Sequence, residues 1–302
     1  MQIAVTGATG FIGGYLVKQL GRGGHQLNCW HRASSDPARR ADLEQPVTWF
    51  KGELGDQAAA QQLVAGCDAV VHAALWRPGD AFPGSEGDLL RFAEVNLIGT
   101  LQLIEAARGA GVSRFVYLSS CAVHEEILDD RPLDETHPLW PRTHYGAHKA
   151  AVEKFVHSYG LGAGYPICAL RPTGVYGVRQ PIEHSKWYKL VQRVVRGETV
   201  DCVRGGKEVH AADVARAVEL LLDAKGIAGQ VYSCYDRYIS EFDVATFVKE
   251  ISGSSSLIQG GQTRPRHQIV SDKIRNLGMK FGGHNLFEQT LRELIDKSRV
   301  ES

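Results

Sequence analysis

Met1-Gln-Ile-Ala-Val-Thr-Gly-Ala-Thr-Gly-Phe-Ile-Gly-Gly14 is the stretch that decides the fold of this chain. Its apolar, β-branched segment from Ile3 to Val5 predicts a strand, and the apolar spacing from Tyr15 to Leu20 predicts a helix. Glycines between a strand and a helix let the backbone turn tightly and approach a ligand, and the helix amino terminus attracts a phosphate. This context predicts a dinucleotide-binding site, with a merely tight turn as the alternative. The residues expected to contact the dinucleotide here are Gly7, Thr9, Gly10, Phe11, Ile12 and Gly13.

The composition is that of an ordinary globular protein. Of the 302 residues, 43% are hydrophobic and 23% are charged, with 34 basic and 34 acidic side chains. This balance favours neither a nucleic-acid partner nor a membrane-surface partner, and no apolar run approaches the roughly 20 residues of a membrane span. Because the chain enters a strand directly, we expect no secretion signal and a cytoplasmic location.

Cysteine and histidine patterns favour neither disulfide nor metal chemistry. The 6 cysteines stand singly, several of them in apolar runs, and the 12 histidines form no HExxH pattern. We therefore expect reduced, buried thiols and no metal site.

Strands and helices alternate through the first half of the chain. After the opening unit, strands are predicted at 25–30, 47–50, 68–72, 113–119 and 166–170, and helices at 57–65, 88–110 and 143–159. Short apolar strands that alternate with helices predict an α/β fold, a doubly wound parallel sheet (Rossmann) that binds ligands at the carboxyl ends of its strands.

The pattern is less regular after residue 171. Helices are predicted at 184–196, 212–224, 241–251 and 287–297, a returning strand at 230–234, a loop at 253–261 and a turn at 282–285. We expect a dinucleotide-binding domain of residues 1–171, to which 207–235 returns. Residues 172–206 and 236–302 are expected to form a small, interleaved C-terminal substrate-binding lobe.

Tyr145 and Lys149 form a second constellation. They stand four residues apart on a predicted helix and so project from one face. A lysine ammonium beside a phenol lowers the pKa of the phenol, which would let the tyrosine exchange a proton with a substrate hydroxyl or carbonyl near neutral pH. Such a pair alone is common on helix surfaces. Here, however, a predicted strand ends at Ser119 and Ser120, and a serine hydroxyl at that point can hold a substrate oxygen.

Together these residues resemble the extended short-chain dehydrogenase/reductase family, also called the NAD-dependent epimerase/dehydratase family. The resemblance covers nearly the whole chain. The matching segments are TGxxGxxG at 6–13, a GDLxD-like turn at 52–56, a strand and loop at 68–74, NxxGT at 96–100, SSxxV at 119–123, YxxxK at 145–149, RPxxVYG at 171–177 and a VHVDDVA-like segment at 209–215.

The resemblance implies roles for particular residues. Ser120, Tyr145 and Lys149 would form the catalytic group, with Tyr145 as the acid/base and Lys149 tuning it and holding the nicotinamide ribose. For His72, a packing role is at least as well supported as a cofactor contact. The resemblance also implies a homodimer. The further cofactor-binding residues that it implies are Glu53, Leu54, Ala73, Ala74, Asn96, Ser119, Pro172 and Thr173, together with Tyr145 and Lys149.

The end of the second predicted strand bears on the choice between NADP and NAD. An NAD site favours an acidic residue about 20 residues beyond the glycines, where it accepts hydrogen bonds from ribose hydroxyls. Here Arg32 ends the stretch, and no acid occurs before Asp36. Arg32, with Arg39 and Arg40 nearby, suits a 2′-phosphate, so we predict NADP. In the alternative, Arg32 is solvated or stacks on adenine and either cofactor binds.

Departures from the family pattern concern the substrate. Many nucleotide-sugar members carry asparagine at the place of Gly174 and arginine at the place of Gly206, and dehydratases carry an Asp-Glu pair where Cys121 and Ala122 stand. These changes weaken a nucleotide-sugar assignment without excluding it, and they disfavour dehydration. The side chains that could still supply phosphate contacts are Arg179, Lys186, Arg204 and Lys207. Two inserts, at 75–85 and 181–188, are expected to border the site. The substrate-binding candidates are Trp76, His124, His184, Lys186 and Trp187, each with ordinary packing or a solvated surface as its alternative.

The leading functional prediction is an enzyme that transfers hydride between a nicotinamide and a hydroxyl- or carbonyl-bearing carbon of a sugar-like or other small carbonyl substrate. One alternative is a nucleotide-sugar epimerase, in which the hydride returns to the substrate. Another is a non-catalytic NADP-binding sensor, against which the intact Ser-Tyr-Lys set argues.

Overall fold

The structure is a computed structural model that describes residues 1–35, 37, 47–78 and 86–300. Its strands, in chain order, are β1 (Gln2–Thr6), β2 (Gln26–His31), β3 (Val47–Lys51), β4 (Ala69–His72), β5 (Arg114–Leu118), β6 (Ile167–Pro172), β7 (Gly174–Tyr176), β8 (Val200–Cys202), β9 (Gly205–His210), β10 (Gln230–Cys234), β11 (Arg237–Ser240) and β12 (Ile258–Gly260). Its helices are α1 (Phe11–Arg22), α2 (Gln57–Val64), α3 (Leu89–Ala93), α4 (Gly99–Gly109), α5 (His144–His157), α6 (Tyr188–Val195), α7 (Ala211–Asp223), α8 (Glu241–Ser252), α9 (Asp272–Asn276) and α10 (Gly283–Val300).

The chain forms two compact units. The first consists of Met1–Pro172, Val214–Cys234 and Val270–Met279. The second consists of Thr173–Asp213, Tyr235–Ile269 and Lys280–Ser302.

A seven-stranded parallel sheet organises the first unit, in the order β10-β6-β5-β4-β1-β2-β3. The strand order runs outward from β1 in both directions, so the reversal lies between β1 and β4. In such sheets, ligands bind in the crevice at the carboxyl ends of the strands where the order reverses. The doubly wound parallel sheet predicted from the sequence is confirmed, and its switch point coincides with the glycine turn after β1.

Burial explains why the central strands are continuous apolar runs. Ile3, Ala4 and Val5 of β1 are fully buried, as are Val70 and Val71 of β4. A parallel strand covered by helices on both faces has no solvent-facing side, so apolar and polar residues do not alternate along it.

The predicted continuous helix at 88–110 is divided into three parts. Helix α3 ends at Ala93, a π-helical turn covers Glu94–Ile98, and α4 begins at Gly99. An added Cβ at Gly99 would lie 2.8 Å from the backbone nitrogen of Gly55, so glycine lets the helix lie directly on the turn after β3. Apolar periodicity does not detect such a local change of helix type, since the apolar face continues through it.

In the second unit, β7, β9 and β11 form one small sheet, and β8 pairs with β12 in another. Its core includes Val191 of α6, Val244 and Val248 of α8, and Leu291 and Leu294 of α10. Hydrophobic burial of these helix faces stabilises the unit.

Three boundaries in the second unit differ from the predictions. The predicted loop at 253–261 contains β12, and the predicted turn at 282–285 overlaps α10, which begins at Gly283. The helix predicted from 184 begins only at Tyr188, because Trp187 before it has φ +68° and so leaves the right-handed helical region. Three-residue strands and single left-handed residues give too little sequence pattern to be predicted.

No helix in the described part of the chain is long and apolar enough to cross a membrane.

Candidate active site

The glycine turn joins β1 to α1 at the switch point of the first unit. Gly7 has φ +73°, and an added Cβ there would lie 2.6 Å from the Ala73 carbonyl oxygen. An added Cβ at Gly13 would overlap the Gly7 carbonyl oxygen, so both positions require glycine. At Gly10, by contrast, an added Cβ would meet only the Gly7 oxygen among the residues that the structure describes, at 3.2 Å, and Gly10 is exposed. This open side lets a ligand approach the backbone.

The amino terminus of α1 fits a phosphate. Within α1, which lies wholly in the described part of the chain, the first turn holds no acidic residue, and Gly10 supplies no side-chain cap. The positive end of the helix dipole is therefore not neutralised by an acidic side chain of the helix itself. Thr9, Phe11 and Ile12 are partly exposed at this turn.

The far end of the predicted cofactor site lies at the carboxyl ends of β2 and β3. Arg32 is exposed, and no acidic side chain in the described ranges pairs with it. Glu53 is exposed and Leu54 is buried in the turn after β3. Asp36, Arg39 and Arg40, which the sequence placed near Arg32, lie outside the described residues.

A buried hydrogen-bond chain fixes the loop after β4. Thr100 donates to the Asn96 carbonyl oxygen (2.6 Å), so its hydroxyl oxygen accepts from His72 Nε2 (2.8 Å). His72 Nδ1 then accepts from the Thr6 hydroxyl (2.6 Å), which in turn accepts from the Ala74 amide (3.2 Å). Burial, with the charge of Lys149, lowers the pKa of His72 to about 3, so the ring is neutral. His72 therefore positions the Ala73–Ala74 backbone, as the packing alternative proposed.

The side chain of Asn96 also forms its hydrogen bonds with backbone groups. Its amide oxygen accepts from the Trp76 amide (2.7 Å), and its amide nitrogen donates to the carbonyl oxygens of Trp76 (2.9 Å) and Phe92 (3.0 Å). Both amide protons are thus used. Asn96 holds the segment at Trp76 in place, and its predicted contact with the cofactor stays a prediction.

Tyr145, Ser120 and Lys149 come together at the carboxyl end of β5. Tyr145 and Lys149 are buried on α5, and Tyr145 shares a hydrogen bond with Ser120. Lys149 Nζ donates to the Leu118 carbonyl oxygen (2.7 Å) and lies 5.9 Å from the centre of the Tyr145 ring. Two hydroxyl groups that bond to each other in this way can act on one substrate oxygen, with Tyr145 able to exchange a proton and Lys149 close to the phenol ring.

Gly146 allows this approach. An added Cβ at Gly146 would overlap the Ala122 carbonyl oxygen and lie 2.8 Å from Pro141 Cβ. The Thr143 hydroxyl caps the helix by accepting from the Gly146 amide (3.1 Å). The start of α5 consequently lies against the segment that carries Ser120. The sequence signal for this contact is the glycine directly after Tyr145, which sequence reasoning missed.

The electrostatics of the pair differ from the sequence expectation. Burial raises the pKa of Tyr145 to about 12, and the hydrogen bond with Ser120 only partly opposes this. Burial also lowers the pKa of Lys149 to about 7, although Glu153 favours its charged form. The expectation that Lys149 gives Tyr145 a lowered pKa is wrong for the protein alone, because the sequence pattern contains the lysine but not the desolvation.

A buried ion pair lies beside Ser119, the neighbour of Ser120. Arg171 donates to both oxygens of Glu153 (2.9 and 2.6 Å), and both side chains are almost completely buried. Ser119 donates to Glu153 (2.5 Å), and Arg171 donates to His124 Nε2 (3.0 Å). Ser119 therefore anchors the end of β5 to α5, whereas Ser120 bonds to Tyr145.

His124 has a positioning role in this network. Its Nδ1 bonds to the Pro138 carbonyl oxygen (3.3 Å), and its Nε2 accepts from Arg171. Burial, then the charge of Arg171, lowers the pKa of His124 to about 3. Both ring nitrogens are engaged by the protein, so a contact with substrate stays only a prediction.

The remaining predicted residues belong to the second unit or border it. Pro172 ends the first unit and Thr173 begins the second. In the second unit, His184 is exposed, Trp187 packs against Tyr176 (ring centres 5.2 Å apart), and Lys186 Nζ donates to Glu208 (2.5 Å). Burial raises the pKa of Glu208 to about 7 against the influence of Lys186. Glu208 was not predicted.

Within the residues that the structure describes, no group of three His, Cys, Asp or Glu side chains could hold a metal ion.

Comparison with known proteins identifies related chains. A model of the NAD-dependent epimerase/dehydratase family matches residues 3–234. The low-salt glycan biosynthesis protein Agl12 of Haloferax volcanii is 30% identical over 309 residues, which cover 98% of each chain. A dTDP-glucose 4,6-dehydratase of Streptomyces niveus is 32% identical over 251 residues, covering 77% of this chain and 71% of the relative. The structure is similar to that of the UDP-glucose 4-epimerase of Thermus thermophilus in complex with NAD, with 26% identity, a TM-score of 0.78 and 99% of each chain covered.

Proposed function

The chain belongs to the NAD-dependent epimerase/dehydratase family and is a nicotinamide-dependent enzyme, and we propose that it transfers hydride to or from a hydroxyl- or carbonyl-bearing carbon of a sugar-like substrate. The observation that carries the proposal is the convergence of Ser120, Tyr145 and Lys149 in the unit that also holds the glycine turn. A protein that only sensed the cofactor would need no such group.

Tyr145 is the proposed acid/base. With its pKa raised to about 12, the phenol is protonated at neutral pH and is ready to give its proton to an oxygen that gains negative charge. Ser120 holds the same oxygen by a hydrogen bond. When bound, the nicotinamide supplies the hydride donor or acceptor, and its oxidised form adds a positive charge that favours the phenolate needed for oxidation.

The test is a Tyr145→Phe variant. Sugars, nucleotide sugars, aldehydes and ketones are incubated with NADPH, NADH or the oxidised forms, with cofactor absorbance as the readout and product analysis for epimerisation without net redox change. We expect Tyr145→Phe to lose about 10²- to 10⁴-fold in kcat while it still binds cofactor, because only proton transfer is removed. Tyr159→Phe, a second tyrosine just beyond α5, is the matched control. Undiminished activity of Tyr145→Phe would exclude Tyr145 as the acid/base.

For the cofactor we propose NADP. The support is the exposed Arg32 at the end of β2, where an NAD site favours an acid. A charge-assisted bond from arginine to the 2′-phosphate predicts that Arg32→Ala weakens NADPH binding about 10-fold or more and leaves NADH binding nearly unchanged. Equal affinities of the wild type for NADPH and NADH would contradict this choice.

Epimerisation of a nucleotide sugar is the second candidate. The names of the relatives favour nucleotide sugars, since they include dTDP-glucose 4,6-dehydratases and UDP-glucose 4-epimerases. Dehydration is less favoured, because Cys121 and Ala122 stand where dehydratases of this family carry an Asp-Glu pair. Detection of a 4-epimer without a net change in cofactor absorbance would select this candidate.

We further propose a cytoplasmic homodimer. None of the six cysteines, all of which the structure describes, forms a disulfide, which suits a reducing compartment. The first unit exposes Leu90 (82%), Ile98 (47%) and Phe155 (39%) around the helices through which the family resemblance implies dimerisation. Light scattering at several protein concentrations tests the dimer, and a monomer at all of them would contradict it.

A further inference from the structure

A cavity of about 560 Å³ lies within the second unit. It is lined by the segment that leads into α6, by β9 and by the start of α8. The charged residues that line it are Glu183, Lys186, Lys189, Arg204, Glu208 and Glu241. Three acidic and three basic side chains give this lining no net charge, so it favours an uncharged ligand group over an anion.

Glu208 is the polar centre of this lining. Its side chain is 3% exposed, and its Oε1 accepts from Lys186 Nζ (2.5 Å). Its Oε2 is buried and has no hydrogen-bond partner among the residues that the structure describes. A buried carboxylate oxygen without a hydrogen-bond partner costs free energy. A ligand that donates a hydrogen bond to Glu208 Oε2 would remove this cost.

Two glycines make room for this carboxylate. An added Cβ at Gly174 of β7 would lie 2.7 Å from Glu208 Oε2, and one at Gly206 of β9 would overlap Oε1. Side chains at 174 and 206 and the carboxylate of Glu208 therefore exclude one another. Gly174 and Gly206 are the two positions at which the sequence departs from the nucleotide-sugar pattern. The structure shows that both glycines make room for the same carboxylate, that of Glu208.

Lys186 complements Glu208. A lysine ammonium has three donors, of which Glu208 uses one, and the Lys186 side chain is 36% exposed. Glu208 Oε2 and Lys186 thus offer an acceptor beside a donor, which matches ligand hydroxyl groups that donate to one and accept from the other. A phosphate would meet the Glu208 carboxylate with like charge.

We propose that this cavity binds an uncharged, hydroxyl-bearing part of a carbohydrate, with Glu208 and Lys186 as its direct contacts, and that it does not take a diphosphate. The proposal rests on the proposed function only in treating the carbohydrate as the substrate of the hydride transfer. It pairs Lys186, a predicted substrate residue, with Glu208, which the sequence did not predict.

Tryptophan fluorescence tests the proposal, because Trp187 lines the cavity. The full-length protein, without cofactor at pH 8, is titrated with glucose, galactose and N-acetylglucosamine as uncharged probes. Pyrophosphate at matched ionic strength is the anionic probe. We expect a saturable response to at least one sugar, none to pyrophosphate, and loss of the sugar response in Trp187→Phe.

Variants identify the contacts. Glu208→Gln keeps the size of the side chain and should weaken sugar binding about 10-fold or more, as should Lys186→Met. Glu198→Gln, an exposed carboxylate of the same unit paired with Arg193, is the matched control and should bind as the wild type does. If Glu208→Gln does not fold, the binding measured for Lys186→Met tests the proposal on its own. Lys186 is partly exposed, so its replacement should disturb folding less.

Saturable binding of pyrophosphate, absence of any sugar response, or unchanged sugar binding in both cavity variants would each overturn the proposal. Sugar binding is measured without cofactor and so without turnover, which makes it independent of hydride transfer. Glu208-dependent binding without hydride transfer would therefore refute only the proposed function, and hydride transfer without Glu208-dependent binding would refute only this inference.

Discussion

Gly146→Ala should lower activity by about 100-fold, although alanine is the better helix former. An added Cβ would lie 2.8 Å from Pro141 Cβ, and 3.4 Å is the lower end of ordinary contact, so this contact alone requires a shift of about 0.6 Å. The Ala122 carbonyl oxygen is closer still and must move further. The start of α5 and the segment that carries Ser120 would therefore separate by about 1 Å, a displacement that can cost about 10²-fold in rate.

The assay separates misplacement of the catalytic residues from unfolding. The rate kcat is measured with the substrate found in the screen, cofactor affinity by NADPH fluorescence, and stability by thermal unfolding. Alanine gains up to about 1 kcal/mol of helix propensity over glycine, which offsets part of the strain. Gly109→Ala is the control, since an added Cβ there lies more than 4 Å from every other described residue that could obstruct it. Equal kcat values for Gly146→Ala and Gly109→Ala would contradict this prediction. They would show that the close contact of Gly146 with Ala122 and Pro141 is not needed to position Tyr145.

Two further predictions concern buried carboxylates. Glu153→Gln should lower the free energy of unfolding by about 3–5 kcal/mol in urea denaturation, because it leaves Arg171 buried without its counter-charge. The exposed Glu105→Gln should change it little, and equal losses would contradict the prediction. The pKa of Glu208 is raised from 4.5 to about 7 in the folded state, so the folded protein binds the extra proton. This stabilisation is fully present below pH 4.5 and is lost as pH rises through about 7, a change of about 3 kcal/mol at 1.36 kcal/mol per unit. The free energy of unfolding of Glu208→Gln, measured against pH, should lack this fall. The same pH dependence in the wild type and the variant would contradict a raised pKa for Glu208.

The sequence predicts those features that a local pattern encodes. Glycine spacing after an apolar strand predicts the turn at Gly7, and four-residue spacing predicts that Tyr145 and Lys149 share a helix face. Alternating strands and helices predict the doubly wound sheet. Each of these inferences needs only residues within one or two neighbouring elements.

The remaining features depend on register and burial, which a single sequence does not encode. Thr6 bonds to His72 because β1 pairs with β4 in the register that sets these two residues side by side. The raised pKa of Tyr145 arises from desolvation by distant parts of the chain. Likewise, the role of Glu208 emerges only when β7 and β9 lie together, with Gly174 opposite it in the parallel pairing.

Ser119 and Ser120 are neighbours in the sequence but bond to different groups. One serine joins the buried Glu153–Arg171 pair, and the next bonds to Tyr145. The buried pair links α5 to β6, and Ser119 adds the end of β5, so three elements meet at one charged cluster. Removing either charge would leave the other buried and uncompensated, which strongly destabilises a folded protein. The placement of Ser120 and Tyr145 therefore depends on the buried cluster of Ser119, Glu153 and Arg171.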